Sequence, residues 1–199
     1  MLTLHVAEAS PETAVLVDGA QLAAVGPYEE LAAAHPDARV RRWPGILTPG
    51  LLNPYGPELL EQAYHPDPRE ADRLGTEPLF GLRARALLAS APTARGASAR
   101  RGVQRLLAHG TVAVGGEIRG REALDAVRRA GLVFGGRPPG LAGPPSLSPA
   151  PLVLLPPLTA GSPARFAVFD VPDRAALVRE GASTCVATVV GGRLVHRRR

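Results

Sequence analysis

The five histidines are the first residues to consider, because histidine is the commonest metal ligand and a common acid–base group. They are His5, His35, His65, His109 and His196. No two of them stand in an H-x-H, H-x-x-x-H or H-E-x-x-H arrangement, whereas catalytic zinc needs about three protein ligands beside an open position. The sequence therefore predicts no metal site and no bound cofactor.

Acidic residues near position 60 offer a second possible chemistry. Glu58 and Glu61 are three residues apart in a predicted helix that follows a buried strand, so both carboxylates would project from one helix face. His65 could join Glu61 and Asp67 in a metal cluster assembled by folding. The favoured interpretations are a solvated helix face and a solvated loop, and Glu58 and His65 stay as catalytic candidates.

Several covalent chemistries lack the residues that they need. All 23 basic residues are arginine, which excludes a Schiff base on lysine, a Walker phosphate loop and a carbamylated lysine bridge. No G-x-S-x-G elbow is present to activate a serine. The single cysteine, Cys185, excludes an internal disulfide, and we expect it to fill a small space in the core.

The positive charge raises the question of nucleic-acid binding. The formal net charge is +5 and the pI is about 10.5, and Arg100, Arg101, Arg105 and the tail 197–199 could contact phosphates. However, aromatic residues make up only 4% of the chain, which leaves no platform on which bases could stack. Nucleic acid is therefore not a predicted partner.

Two glycine pairs follow predicted strands and could bind an anion at the start of the next helix. They are Gly115-Gly116 and Gly135-Gly136. Because neither completes a G-x-G-x-x-G pattern, turns are the favoured interpretation.

The elements that must position these residues are β-rich at both ends of the chain. The N-terminal part predicts strands at 2–6, 14–18, 21–25, 39–43 and 46–52, and a helix at 27–36. The C-terminal part predicts strands at 166–171, 185–190 and 194–195, and a helical turn at 173–180. Residues 46–52 form a continuous and, apart from Thr48, apolar segment, which is typical of one strand buried on both faces.

The middle of the chain is helical with short strands between the helices. The predicted helices are 58–64, 78–90, 97–109 and 121–130, and the predicted strands are 111–114 and 132–134. Strand, helix and strand in this order predict a parallel crossover. Nine prolines in residues 135–163 exclude a regular helix there and indicate a linker or an irregular cover, within which Leu152–Leu155 could pack.

Three segments carry a family resemblance. Residues 15–27 (VLVDGAQLAAVGP) resemble a V-x-D-G-x-I-x-x-V-G hairpin, and residues 47–55 (LTPGLLNPY) resemble the entry into a first barrel strand. Residues 161–170 (GSPARFAVFD) and 189–195 (VVGGRLV) resemble a closing pair of strands, with Arg165 where an acidic residue is usual. In this order, the segments resemble the amidohydrolase superfamily, especially imidazolonepropionase-like proteins and related deaminases.

The resemblance implies a mixed α/β fold with a discontinuous β-sandwich and a (β/α)8 barrel. Residues 1–48 and 163–199 would form the sandwich, residues 49–134 a truncated barrel remnant, and residues 135–162 a linker or cover. The remnant is predicted because the central span is about half of what eight units of roughly 25 to 30 residues require.

The departures from the family concern the metal ligands. Tyr55 and Pro57 stand where the resemblance implies two metal-binding histidines. We therefore predict a relative that has lost metal-dependent hydrolysis and acts as a binding or partner subunit. The alternative is a hydrolase or deaminase acting on a C–N bond of a small cyclic substrate, through Tyr55, Glu58 and His65 or a site completed by a partner.

A shortened barrel has exposed sheet edges, which natural proteins pair or cover. We expect the chain's own Leu152–Leu155 to cover part of the sheet, and a homodimer or a protein partner to cover the rest; a small-molecule ligand is also possible. The N-terminal residues show no basic and apolar pattern typical of a signal peptide, and no apolar run reaches about 18 residues, so we expect neither a signal peptide nor a membrane span. The expected location is cytoplasmic, without membrane association.

Overall fold

Residues 1–91, 93–141 and 143–198 are described by a computed structural model of the chain. Within them, twelve strands form three four-stranded sheets, none of which closes on itself. The strands are β1 (Thr3–Ala7), β2 (Ala14–Asp18), β3 (Gln21–Gly26), β4 (Arg39–Trp43), β5 (Ile46–Pro49), β6 (Leu51–Asn53), β7 (Thr111–Gly115), β8 (Val133–Gly135), β9 (Val153–Leu154), β10 (Arg165–Phe169), β11 (Cys185–Val190) and β12 (Arg193–Arg197). The α-helices are α1 (Tyr28–Ala34), α2 (Ala71–Leu74), α3 (Gly81–Ala89), α4 (Ala94–Ala108), α5 (Arg121–Ala130) and α6 (Arg174–Glu180). The predicted mixed α/β class is confirmed.

Sheet A is built from the first four strands, in the order β3-β2-β1-β4. β1, β2 and β3 are antiparallel neighbours, which confirms the predicted hairpin, and β4 adds parallel to β1. Helix α1 packs through Leu31 against the cluster that contains Leu4 and Leu16. This helix therefore covers one face of the sheet.

Sheet B joins segments that are distant in the sequence, in the order β12-β11-β10-β5. All three pairings are antiparallel, and β11 and β12 form the predicted hairpin at Gly191-Gly192. Val15 and Val17 of sheet A share an apolar cluster with Phe166 and Val168 of sheet B. The N-terminal and C-terminal regions thus share one core.

Sheet C contains the parallel strands of the middle region, in the order β8-β7-β6-β9. β6, β7 and β8 are parallel, so the predicted crossover is confirmed. Helices α4 and α5 pack on one face, where Val103 and Val127 meet Val112 and Val114 of β7. At one edge, β9 pairs antiparallel with β6, as we expected of Leu152–Leu155.

The prediction of one continuous strand over residues 46–52 is wrong, because the chain changes sheets at Gly50. β5 pairs with β10 in sheet B, whereas β6 pairs with β7 and β9 in sheet C. A Cβ atom on Gly50 would lie 2.3 Å from Cγ2 of Val112, so a side chain cannot fit between the two sheets. The same run of apolar residues therefore contributes to two cores.

The predicted helices agree to different degrees with the helices of the structure. Helix α5 has the predicted bounds and ends at Gly131, which has a φ of 75°. The segment predicted as a helix over 58–64 forms a π-helical turn at Glu58–Gln62. The longest helix, α4, has 15 residues, and among the described residues no helix is long and apolar enough to cross a membrane.

Candidate functional site

The carboxyl ends of β6, β7 and β8 meet at one edge of sheet C, where chemistry is located in a parallel α/β fold. Asn53, the last residue of β6, is buried. Its Oδ1 accepts a hydrogen bond from the Tyr55 backbone at 3.0 Å, and its Nδ2 donates to the Ser146 carbonyl at 2.9 Å. This amide thus ties the end of β6 to the proline-rich segment.

Tyr55, the first catalytic candidate, lies at the same edge and is buried. Its hydroxyl donates to the Gly143 carbonyl at 3.3 Å, and the Arg137 guanidinium lies 5.2 Å from the ring centroid. The Tyr55 side chain is therefore held by contacts within the chain.

Glu58, the second candidate, is part of an ion pair. Its Oε1 lies 2.6 Å from Nη2 of Arg137, and Nε of Arg137 donates to the Pro54 carbonyl at 2.8 Å. Within the described residues the other carboxylate oxygen, Oε2, is buried without a hydrogen-bond partner. The structure thus brings Tyr55 and Glu58 together around Arg137.

Glu61 is also engaged within the fold. Oε1 of Glu61 accepts hydrogen bonds from the backbone N–H groups of Arg119, at 2.8 Å, and Gly120, the residue that precedes α5. A carboxylate at this end of a helix accepts hydrogen bonds from free N–H groups, and the helix dipole stabilises its negative charge. The expectation of a solvated helix face is therefore wrong for Glu58 and Glu61.

The turn interpretation of Gly115-Gly116 is consistent with the structure, since Gly115 ends β7 and Gly116 has a φ of 92°. The next helix, α5, begins after Gly120, where the Glu61 carboxylate already occupies the anion position. An external anion is therefore not needed at the helix that follows Gly115-Gly116, because the Glu61 carboxylate is bound there.

His65, the third candidate, is completely buried, with 0% of its surface exposed. Its Nε2 lies 2.7 Å from the Leu59 carbonyl, its backbone N–H donates to Ser98 Oγ at 2.9 Å, and its carbonyl accepts from Arg101 Nε at 2.7 Å. Gly102 makes this position possible, since a Cβ there would lie 2.7 Å from Nε2. The expectation of a solvated loop is wrong.

Burial lowers the pKa of His65 to about 4. A carbonyl can only accept a hydrogen bond, so Nε2 carries the proton, while Nδ1 is a buried acceptor without a partner among the described residues. His65 is therefore neutral at pH 7 and is placed as a structural histidine. Burial also raises the pKa of the Cys185 thiol to about 11, which removes it as a nucleophile.

The long-range cluster of His65 with Glu61 and Asp67 does not form. Glu61 bonds to the start of α5, and Asp67 accepts from the Arg69 backbone and pairs with Arg101 at 3.5 Å. Throughout the part of the chain that the structure describes, no group of three or more His, Cys, Asp or Glu side chains could hold a metal ion. The residues at the edge of sheet C thus do not fit the metal that the resemblance implies.

Sequence reasoning missed Arg137, the residue that links the edge contacts. Its one local signal was its position directly after Gly135-Gly136 and a predicted strand, which places it at the carboxyl end of β8. Its partner Glu58 is 79 residues away along the chain, so nothing local indicated the pairing.

The fold and the site thus define a mixed α/β protein. The carboxyl ends of its parallel strands are covered by contacts of Asn53, Tyr55 and Arg137 within the chain. The sequence model of the imidazolonepropionase-like composite domain of bacteria matches residues 14–38. This match confirms the predicted imidazolonepropionase-like resemblance of residues 15–27. The matched segment contains β2, β3 and α1.

Two solved structures are similar to part of this chain. The crystal structure of A. niger ochratoxinase matches 68% of this chain with a TM-score of 0.41 and 16% identity. Guanine deaminase from Bradyrhizobium japonicum matches 61% of it with a TM-score of 0.37 and 18% identity. The chain spans 30% and 27% of their lengths, respectively. No curated protein matches the sequence.

Proposed function

We propose that this chain is an imidazolonepropionase-like amidohydrolase relative that has lost metal-dependent hydrolysis and acts as a binding or partner subunit. One observation carries the proposal: the carboxyl edge of sheet C is closed by Asn53, Tyr55 and Arg137, each bonded within the chain. A substrate would have to displace these contacts before it could reach the ends of the parallel strands.

The residue types at this edge support the same proposal. Pro57 has no ligating atom, and the Tyr55 hydroxyl bonds to a backbone carbonyl. His65 is the histidine nearest in sequence to Tyr55 and Pro57, and its Nε2 donates to the Leu59 carbonyl. Zinc chemistry needs about three such ligands beside an open position.

The finer architecture is part of the proposal. Sheet C would be a barrel remnant within residues 49–134, residues 1–48 and 163–199 would form a sandwich unit, and residues 135–162 would be its cover. The supporting observations are the three parallel strands of sheet C and the core that sheets A and B share.

The partner role rests on the free edge of sheet C. β8 pairs with β7 on one side, and its residues Val133 and Phe134 are 37% and 43% exposed. Edge strands β4 and β12, by contrast, carry several arginines, which discourage pairing with another chain. We propose that β8 pairs with β8 of a second copy, since an isologous contact of this kind closes a dimer.

The loss of hydrolysis is tested by measuring metal content and turnover together. Protein purified without chelator should contain far less than one zinc per chain and should not hydrolyse imidazolone or cyclic amide substrates above the rate in buffer. The proposal would be overturned if the purified protein contained close to one zinc per chain and the His65→Ala variant had lost that zinc.

Hydrolysis of a cyclic C–N bond remains a second candidate function because of one observation. The buried Oε2 of Glu58 has no hydrogen-bond partner among the described residues, and Arg137 contacts both the other carboxylate oxygen of Glu58 and the Tyr55 ring. Such a carboxylate could act as a general base. The candidate predicts turnover that Glu58→Gln abolishes and Tyr55→Phe reduces, and turnover unaffected by changing Tyr55, Glu58 and His65 together would exclude it.

A further inference from the structure

A cavity of about 300 Å³ lies between the end of helix α5 and sheet B. Four arginines line it: Arg128 and Arg129 from the last turn of α5, Arg165 from β10 and Arg193 from β12. The described residues that line the cavity include no aspartate or glutamate. Its wall therefore carries four formal positive charges.

The strand register explains how the two strand arginines come together. Arg165 is paired with Val190, and Val190 is paired with Arg193, so the three residues form one row across β10, β11 and β12. Directly paired residues point to the same face of a sheet. Since Val190 packs in the cluster of α4 and α5, this row faces the end of α5.

Among the described residues, no acidic side chain pairs with the arginines of this cavity. None of the four arginines takes part in an ion pair within residues 1–91, 93–141 and 143–198. Moreover, Nε of Arg165 is buried and has no hydrogen-bond partner among those residues. A buried donor without a partner is costly, and like charges repel one another.

The helix dipole accounts for only part of this arrangement. The C-terminus of a helix is equivalent to about half a negative charge, which favours Arg128 and Arg129 but cannot balance four guanidinium groups. In a second arginine-lined groove, by comparison, Arg42 donates to the Tyr28 hydroxyl at 2.8 Å and Arg197 lies 5.7 Å from the Trp43 ring centroid. Two of the four arginines that line that groove, Arg42 and Arg197, thus have partners within the fold.

We propose that this cavity binds a small phosphate-bearing ligand, whose oxygens accept hydrogen bonds from Arg165 and Arg193. A guanidinium group donates parallel N–H bonds that match a phosphate, and both Arg165 and Arg193 line the cavity. The cavity takes no residue from the carboxyl edge of sheet C, so this site does not depend on the proposed loss of hydrolysis.

The test is calorimetric titration of the full chain with inorganic phosphate and with pyrophosphate, at constant ionic strength set by sodium chloride. We expect saturable binding with one site per chain. Arg165→Gln and Arg193→Gln should each weaken it about tenfold or more, because each removes charge-assisted hydrogen bonds. The matched control is Arg100→Gln, in a different cleft of about 460 Å³ that arginines line, and it should bind as the parent does.

The outcomes separate a built site from general charge attraction. Arg193 is exposed on an edge strand, so its variant tests the proposal even if Arg165→Gln does not fold. Phosphate binding that is absent, or equal in parent and variants, overturns the proposal. A single-stranded oligonucleotide that binds more tightly than pyrophosphate, and that loses affinity equally in the Arg165 and Arg100 variants, also overturns it.

Discussion

His65 is enclosed between the turn after β6 and helix α4, and the contacts that fix it also determine its protonation state. Ser98, Arg101 and the Leu59 carbonyl bond its backbone and ring, while Gly102 leaves the space for it. His5 is likewise buried, where its Nδ1 accepts from Trp43 Nε1 at 3.2 Å. Burial, with a nearby Arg41, lowers the pKa of His5 to about 4.

These two histidines predict acid sensitivity of the folded state. In each, the folded pKa of about 4 lies below the ordinary value of 6.5, so the unfolded chain binds protons first as the pH falls. Stability is fully present above about pH 6.5, decreases between pH 6.5 and 4, and loses up to about 3 kcal/mol per histidine. Urea unfolding at several pH values measures this loss.

The control for the acid effect uses a third histidine. His65→Gln should reduce the loss between pH 6.5 and 4 by about half, because His5 keeps its own contribution. His35→Gln should retain the profile of the parent, because His35 is only half-buried. If the free energy of unfolding is constant across this range in the parent, the burial argument for both histidines is wrong.

Glu61 illustrates a charged residue whose role is local stabilisation. Glu61→Ala removes the carboxylate that accepts from the Arg119 and Gly120 backbone at the start of α5. We expect a loss of about 1 to 2 kcal/mol in the free energy of unfolding, as for other lost helix caps. The control Glu117→Ala changes an exposed acid paired with Arg119, and equal losses in both variants would contradict the capping role.

At the scale of elements, Gly50 separates two strands that serve different sheets. The residue before it, Pro49, pairs with Phe166 in sheet B, and the residue after it, Leu51, pairs with Thr111 in sheet C. The close approach of Val112 leaves no space for a side chain at this position. The connection between the two sheets thus depends on this glycine.

Gly50→Ala should therefore destabilise the protein by about 1 to 3 kcal/mol, the usual cost of forcing extra atoms into a packed core. Gly136→Ala is the matched control, since a Cβ there would meet nothing within 4 Å, and it should change stability by less than about 0.5 kcal/mol. Chemical denaturation of both variants distinguishes them. A Gly50 variant as stable as the control would show that the two sheets can separate at this point without cost.

At the scale of the whole molecule, the three sheets have differently protected edges. β9 covers β6, and arginines occupy the edge strands β4 and β12. β8 instead presents Val133 and Phe134, both partly exposed. The edge strands β3 and β5 also carry no charged residue. The proposed dimer therefore rests on the contrast between β8, with its two partly exposed apolar side chains, and the charged edges β4 and β12, because an apolar edge favours pairing while charged edges oppose it.

Sedimentation velocity tests the dimer at micromolar concentration. The parent should sediment as a dimer, and Phe134→Arg as a monomer, because the substitution places a charge on the β8 edge. The control Leu82→Arg changes a residue of α3 that is 83% exposed and should leave the dimer intact. A monomeric parent would falsify the proposed pairing of β8.

Local signals in the sequence were sufficient for many of the elements. The β2–β3 hairpin, helix α5 and the cover formed by β9 were predictable from a two-residue turn, a helical period ended by glycine, and an apolar run among prolines. The burial of His65 and the pairing of Glu58 with Arg137 were not, because their partners come from other segments.

The sequence by itself determined the mixed α/β class, most strand and helix positions, and the lack of histidines where Tyr55 and Pro57 stand. These follow from residue types and their period along the chain, which need no knowledge of distant contacts. Only the tertiary structure decided that the end of β6 is closed by Ser146 and that Arg165 and Arg193 share one cavity. Such contacts depend on sheet register and packing between segments, which no local pattern specifies.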